Sequence, residues 1–373
     1  MKVFFDRLFV IFLASFILFF GVYIYIAPSE DISEKENRVL AEFPKISAEA
    51  IMSGEFSRRL GNFYKDRFPQ RERLMSIKCK YELLCGKKEN NGVLVCENGY
   101  LLISPEYSEL DTYRENLSEI ERFCEHSEFD TAVFFAPRGI DVLTDILPYG
   151  YPAERNQKVF EIAQKQSFEI MSVNESIAEE ARDGAYVWFK TDHHWTSRGA
   201  YMAYKRICEH FDIEALDIDD FREEELDGSF YGTVASRFAA DAPASDRIEI
   251  MRYAEDERLF VVDYDTGEVT DGIYRYEYAD TNDKYSVFLG GNHGHMGVYK
   301  EGEKRETLIV IKDSFANSVI PFLASHYDLE VYDLRYFKGK LREELSDISA
   351  DKILLLYGID TVVSDDSFKY LNR

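Results

Sequence analysis

Four consecutive residues, Asp192, His193, His194 and Trp195, stand directly before a stretch with helical character. In an extended approach to a helix, positions two apart point the same way. Asp192 can therefore hold one ring nitrogen of His194 while the other nitrogen faces a hydroxyl. His193 then points elsewhere. Such a pair activates a nucleophile, and residues 307–323, TLIVIKDSFANSVIPFL, offer one. Five apolar or β-branched residues run into Lys312, Asp313 and Ser314, and a helical pattern with Phe315, Val319, Phe322 and Leu323 follows. Ser314 is thus expected at the carboxyl end of a buried strand and in the first turn of a helix. Open α/β sheets place their sites there, and the backbone N–H groups and helix dipole suit an oxyanion. Serine needs a base to lose its proton, and the Asp192/His194 pair is a candidate for that base.

Other chemistry competes for the same residues. Two histidines and an aspartate are good metal ligands, and His293 and His295 in GGNHGHM would add two more. Against this, adjacent histidines point apart and no second carboxylate cluster accompanies them, so no metal is expected. An Asp-His-His phosphoesterase site needs an apolar strand ahead of it and an Asp-x-Asp partner; Lys190 and Thr191 precede the motif here. In the plainest reading Asp192 and Thr196 cap a helix while Trp195 packs, and Asp313 or Ser314 is only an N-cap.

The elements that must position these groups follow from periodicity. Residues 130–139, DTAVFFAPRG, read as a buried strand running into a turn, with Arg138 after Pro137 a candidate substrate contact. Helical rhythm is expected over 110–124, 156–182 and 197–211, and short strands over 186–189, 307–312, 329–337 and in KILLLYG. Alternating strand and helix predicts an α/β fold: a parallel sheet with helices on both faces. Residues 91–104 carry an Asn-Gly hairpin signal. Residues 217–297, rich in Asp, Glu and Tyr with runs such as RLFVVDY and YSVFLGGN, read as a β-rich insertion decorating that sheet.

Upstream, residues 8–27 are twenty uncharged, almost wholly apolar residues, enough for roughly 30 Å of helix and one bilayer crossing. Lys2 and Arg7 before them, and Glu30, Asp31, Glu34 and Glu36 after, put the short N-terminus in the cytoplasm and the body outside. The alternative is a cleaved signal peptide, for which Ala27–Pro28 is a poor cleavage site. The expected division is an anchor over 1–30, a stalk and helical neck over 31–88, and the α/β domain over 89–373. A formal charge of −25 argues against nucleic acid and anionic lipid surfaces. Five cysteines fit neither a zinc cluster nor a dense disulfide framework; Cys79 and Cys85 are the pair that could bridge.

TDHHWTSRGAY followed by IKDSFANSVIPFL resembles the DHHW proteins of bacteria, which are similar in turn to the alginate O-acetyltransferases of the SGNH-hydrolase-like superfamily. EKENRVLAEFP (34–44) and DLRYF (333–337) extend the resemblance over most of the chain. It implies a flavodoxin-like SGNH fold, with Asp192 the orienting acid, His194 the base and Ser314 the nucleophile. It also implies a glycine and an asparagine that help hold the oxyanion, for which Gly291 and Asn292 are the candidates. His193 and Trp195 are grouped with the substrate-binding residues. The sequence departs from the family pattern in having His193 between acid and base, and Lys312 where a glycine precedes the Asp-Ser pair. The implied activity is acetyl transfer, or acetyl-ester hydrolysis, on an extracellular polysaccharide. No cofactor is implied, and the acetyl donor would come through a membrane-bound O-acyltransferase partner. An inactive glycan-binding or assembly protein of the cell envelope is the alternative.

Overall fold

In the computed structural model, residues 2–26, 31–33, 35–36, 38–105, 110–152 and 157–373 are described. The Ala27–Pro28 step, Glu30, Glu34 and the expected helix start at Asn156 lie outside them. The chain divides into two compact units, residues 1–91 with 236–241, and residues 92–235 with 242–373.

The first unit begins with the helix Lys2–Ile26. Its segment Phe4–Ile24 has a mean hydropathy of 2.3 and is long and apolar enough to cross a membrane. Three helices follow, Ala48–Met52, Glu55–Asp66 and Arg71–Leu84. The 34–44 motif is tied to them by Arg38, whose guanidinium donates to both oxygens of Asp66 at 2.8 and 2.7 Å. That bidentate pair holds the Asp66 carboxyl down to about 2. All five cysteines are free. Cys79 lies within the last helix and Cys85 caps it, so the six-residue separation turns their side chains apart.

The second unit is built on an eight-stranded mixed sheet. Its strands are β1 (Asp130–Ala136), β2 (Ile170–Met171), β3 (Leu259–Asp263), β4 (Glu268–Asp271), β5 (His295–Lys300), β6 (Thr307–Lys312), β7 (Asp328–Tyr332) and β8 (Lys352–Gly358). The spatial order is β4-β3-β5-β7-β6-β8-β1-β2. From β7 to β2 the pairings are parallel. Strands β5, β3 and β4 continue the sheet antiparallel beyond β7.

Strand alternation divides the interior into two cores. Leu308 and Val310 of β6, Leu354 and Leu356 of β8, and Phe134 of β1 enter one, with residues of the helices Asn174–Arg182 and Ser197–His210. Ile309 and Ile311, Ile353 and Leu355, and Val133 and Phe135 enter the other, with residues of Asp111–Glu125, Leu341–Asp347 and Ile359–Ser364. Helices therefore cover both faces, and the central strands are apolar throughout because neither face meets water.

The parallel sheet expected from the alternation forms from β7 to β2, and the 217–297 region makes the rest of the sheet antiparallel. Rather than decorating the sheet, it supplies β3, β4 and part of β5, extending the edge beyond β7. Phe221–Glu225 and Glu249–Tyr253 pair apart from it, as a two-stranded ribbon. Within the same region YSVFLGGN is not a strand. Lys284–Val287 is a 3-10 turn with all four residues buried, and Leu289, Gly290 and Gly291 take φ of 65°, 80° and 103°, values no strand accommodates. Residues 186–189 make a single bridge, Trp188 to Trp195, instead of a strand. The 156–182 stretch is broken into helices Gln157–Ala163 and Asn174–Arg182 by β2, which adds to the sheet edge beside β1. The hairpin forms as expected, Val93–Val95 with Leu101–Ile103, turning through Asn98 and Gly99 at positive φ.

Leu354→Ala empties a fully buried site in the middle of the sheet, where its neighbours on β6 and β1 cannot collapse. A destabilisation of about 2–5 kcal/mol is expected by denaturant titration; a loss within about 0.5 kcal/mol would contradict the close packing described.

Candidate active site

Ser314 follows the carboxyl end of β6, a central strand of the sheet, and opens the 3-10 turn Ser314–Ser318. Asp313 fixes this junction. One carboxylate oxygen accepts from Phe315 N at 3.0 Å and the other from Gly358 N, at the end of neighbouring β8, at 2.8 Å. Burial raises the Asp313 carboxyl, against the opposing pull of Arg335 and these donors.

The Asp192–Trp195 segment reaches the same place by a different route. It is a loop between the Trp188–Trp195 bridge and the helix Ser197–His210, which Thr196 caps by accepting from Gly199 N. Its entrance is clamped by Asp246, almost fully buried, whose carboxylate accepts from Lys190 N at 2.6 Å, Thr191 N at 2.7 Å, the Thr191 hydroxyl and the Tyr186 hydroxyl. Its exit is pinned by the Trp195 indole, which donates to Phe315 O at 3.1 Å and Ser318 Oγ at 3.0 Å. Two segments 120 residues apart are thereby locked together.

At their junction His194 Nδ1 lies 2.6 Å from Asp192 Oδ1, and His194 Nε2 lies 2.8 Å from Ser314 Oγ. Asp192 and His194 are 2% and 4% exposed, while Ser314 is half-buried and so reachable. The far oxygen of Asp192 accepts from Thr233 N at 2.7 Å and Thr233 Oγ1 at 2.9 Å. Burial by itself would raise the Asp192 carboxyl. Charge from His193 and His194, with hydrogen bonds from His194 and Thr233, outweighs it and holds the group well below the ordinary carboxylate range. A Cβ at Gly232 would sit 2.3 Å from Asp192, so this approach requires glycine. Tyr285 stacks on the His194 ring at 3.9 Å and 5°, and its hydroxyl donates to Ser314 O at 3.1 Å. An acid, an imidazole and a hydroxyl in this order can pass a proton from hydroxyl to ring as the oxygen attacks a carbonyl.

The remaining expected residues fall out differently. His193 is a third exposed, with its ring 3.8 Å from that of His194 and its Nδ1 2.6 Å from Thr233 Oγ1. Burial and the neighbouring His194 push it down to about 4. Trp195, grouped with substrate contacts from sequence, is 0% exposed and is instead a strut beneath the site. Arg138, the other candidate contact, is buried and forks onto Asp141 at 2.6 and 3.0 Å. Gly291 and Asn292 are held to the serine turn through Asn317 and Lys312. Ligand atoms of Asp192, His193 and His194 lie within 4.8 Å of one another. Ion binding there would displace the hydrogen bonds to Ser314 and Thr233. Thr233, Asp246 and Tyr285 were not found from sequence; all three come from the 217–297 region, where no motif marks them.

Fold and cluster together define a class: an α/β protein carrying an acid–imidazole–hydroxyl array at the carboxyl edge of its central strands. Residues 168–333 match the DHHW protein family. Among solved structures, a DHHW family protein from Eubacterium siraeum is similar at 22% identity and a TM-score of 0.62, over 76% of this chain and 95% of that one. PatB1 of Bacillus cereus, carrying a sulfonyl adduct, is similar at 17% identity and a TM-score of 0.60, over 75% of this chain and 100% of that one. The O-acetyltransferase domain of Pseudomonas putida AlgJ aligns more loosely, at 13% identity and a TM-score of 0.47, over 75% of this chain and 98% of that one. No curated protein matches the sequence.

Because the folded Asp192 carboxyl is depressed, its contribution to stability is present above its unfolded value and is lost as pH falls below it. The thermal midpoint of the native protein is expected to drop more steeply between about pH 5 and about pH 3 than that of Asp192→Asn. Parallel curves would contradict the assignment.

Proposed function

We propose that the protein is a membrane-anchored, extracytoplasmic O-acetyltransferase, or acetylesterase, of SGNH-like fold that acts on a cell-surface or exported polysaccharide. The observation that carries this reading is the continuous array Asp192 Oδ1, His194, Ser314 Oγ, with contacts of 2.6 and 2.8 Å. Acetyl as the group transferred rests on the motif resemblance. The sulfonyl adduct of PatB1 fits a fold that presents a nucleophile.

The chemistry divides into two displacements. His194 Nε2 takes the Ser314 proton as Oγ attacks the acetyl carbonyl, and Asp192, kept ionised, stabilises the imidazolium. The oxyanion collapses to acetyl-Ser314 as the donor's leaving oxygen takes the proton from His194. A sugar hydroxyl then gives its proton to His194 while attacking the acetyl group, and Ser314 Oγ recovers the proton as it leaves. Water in place of the sugar makes the same site an esterase. No cofactor enters either step. The helix Lys2–Ile26 holds the chain as a single-pass anchor, and a membrane-bound O-acyltransferase supplies acetyl groups on the outer side, where acetyl-CoA is absent. A chain of net charge −25 makes nucleic acid an unsuitable partner.

Full-length protein in detergent is expected to hydrolyse a chromogenic acetate ester, and Ser314→Ala or His194→Ala to slow it by at least about a thousandfold. Equal rates in all three would refute the reading. Oligosaccharide acceptors added to the native enzyme should yield acetylated sugar, detected by mass spectrometry; acetate alone would assign it as an esterase.

A further inference from the structure

Lys312 is 0% exposed, at the carboxyl end of β6 and two residues before Ser314. Its ammonium lies 3.0 Å from Asn292 Oδ1, 2.6 Å from Asn317 Oδ1 and 4.0 Å from a carboxylate oxygen of Asp333. Asp333 is itself paired with Arg335 at 2.6 Å. Burying an ammonium is costly unless hydrogen bonds and a counter-charge replace its water. Burial pushes this one down to about 8, against the pull of Asp333.

An ammonium only donates hydrogen bonds. Both amide atoms facing Lys312 must therefore be carbonyl oxygens, and this removes the ambiguity of the two asparagine side chains. Asn317 Nδ2 is then the donor to Gly291 O at 3.2 Å and to Asn292 Oδ1 at 3.3 Å. Asn292 Oδ1 receives two donors, so its carboxamide offers only N–H to any further partner. The two carboxamides are neighbours, both accepting from the ammonium and hydrogen-bonded to each other. Asn317 lies in the Ser314–Ser318 turn, and Asn292 on the loop that follows the Tyr285 turn.

We propose that Lys312 is a positioning residue for the reaction: it orients the Asn292 carboxamide so that its N–H, and not its oxygen, meets the oxyanion formed on the acetyl group at Ser314. The assignment rests on the acyl-transfer reading above. It gives the lysine that replaces the family's glycine a defined part: the side chain turns into the network behind the site and sets the polarity of its donor.

The test is ester hydrolysis by the full-length protein, with kcat and KM measured for Lys312→Met, Asn292→Ala and the double variant. Losing one oxyanion donor lowers kcat by about 10²–10³, so Asn292→Ala is expected to fall in that range with KM little changed. Lys312→Met should lower kcat at least about tenfold, and the double variant should be no slower than Asn292→Ala alone. Native kcat in a folded Lys312→Met, or losses that multiply in the double variant, would overturn the proposal. Should Lys312→Met fail to fold by circular dichroism, Asn317→Ala removes the other contact to Asn292. It is expected to lower kcat in the native background and to add nothing to Asn292→Ala; multiplying losses would overturn the proposal there too. If Ser314→Ala matches the native rate, the acyl-transfer reading and the clamp fall together. If Ser314→Ala is inactive and Lys312→Met is unimpaired, only the clamp falls.

Discussion

One hydrogen bond, 2.8 Å between His194 Nε2 and Ser314 Oγ, joins segments 120 residues apart in the chain. A loop and a strand end must be held to within a few tenths of an ångström for it to exist, and much of the unit's buried polar structure serves that requirement. The loop is gripped at both ends, by Asp246 where it begins and by the Trp195 indole where it ends. The serine turn is gripped from the sheet by Asp313 and from above by Tyr285.

These anchors share a physical character. Asp192, Asp246 and Asp313 are each 2% exposed or less, and satisfaction comes largely from backbone N–H groups and hydroxyls instead of cations. For Asp246 and Asp313 burial prevails and their carboxyls are raised; only Asp192, with two imidazoles against it, is driven the other way. An unpaired polar group in such surroundings would cost about 1–3 kcal/mol, so each contact is specified closely by what its absence would leave exposed to an apolar interior. The result is a site of fixed geometry in which charge can change on one ring without rearrangement around it.

Much of this was legible in the sequence. The apolar run of β6 ending at Lys312 placed Ser314, because a central parallel strand must be apolar on both faces. The two-residue offset of Asp192 and His194 placed carboxylate beside imidazole, because an extended loop repeats its direction every second residue. What stayed hidden came from long-range pairing. The 217–297 region carries strand-like runs, but which edge they join depends on β7, which lies later in the chain. Tyr285 sits in a run that mimics a strand until the positive φ of Leu289 to Gly291 turns it. Trp195 can be grouped with substrate contacts or read as packing from sequence; only the positions of Phe315 and Ser318 reveal that its N–H is already committed. Arg138 pairs with Asp141, one helical turn on, a local destination that an arginine after a strand does not announce in sequence.

The central claim is that Ser314 becomes covalently acetylated with His194 as its base. Peptide mass spectrometry after brief exposure of the protein to an activated acetyl ester, quenched in acid, tests it directly. The account predicts one acetyl group on the peptide containing Ser314 in the native protein and none on that peptide in His194→Ala. Acetylation confined to other residues, or equal labelling of Ser314 in both proteins, would contradict it.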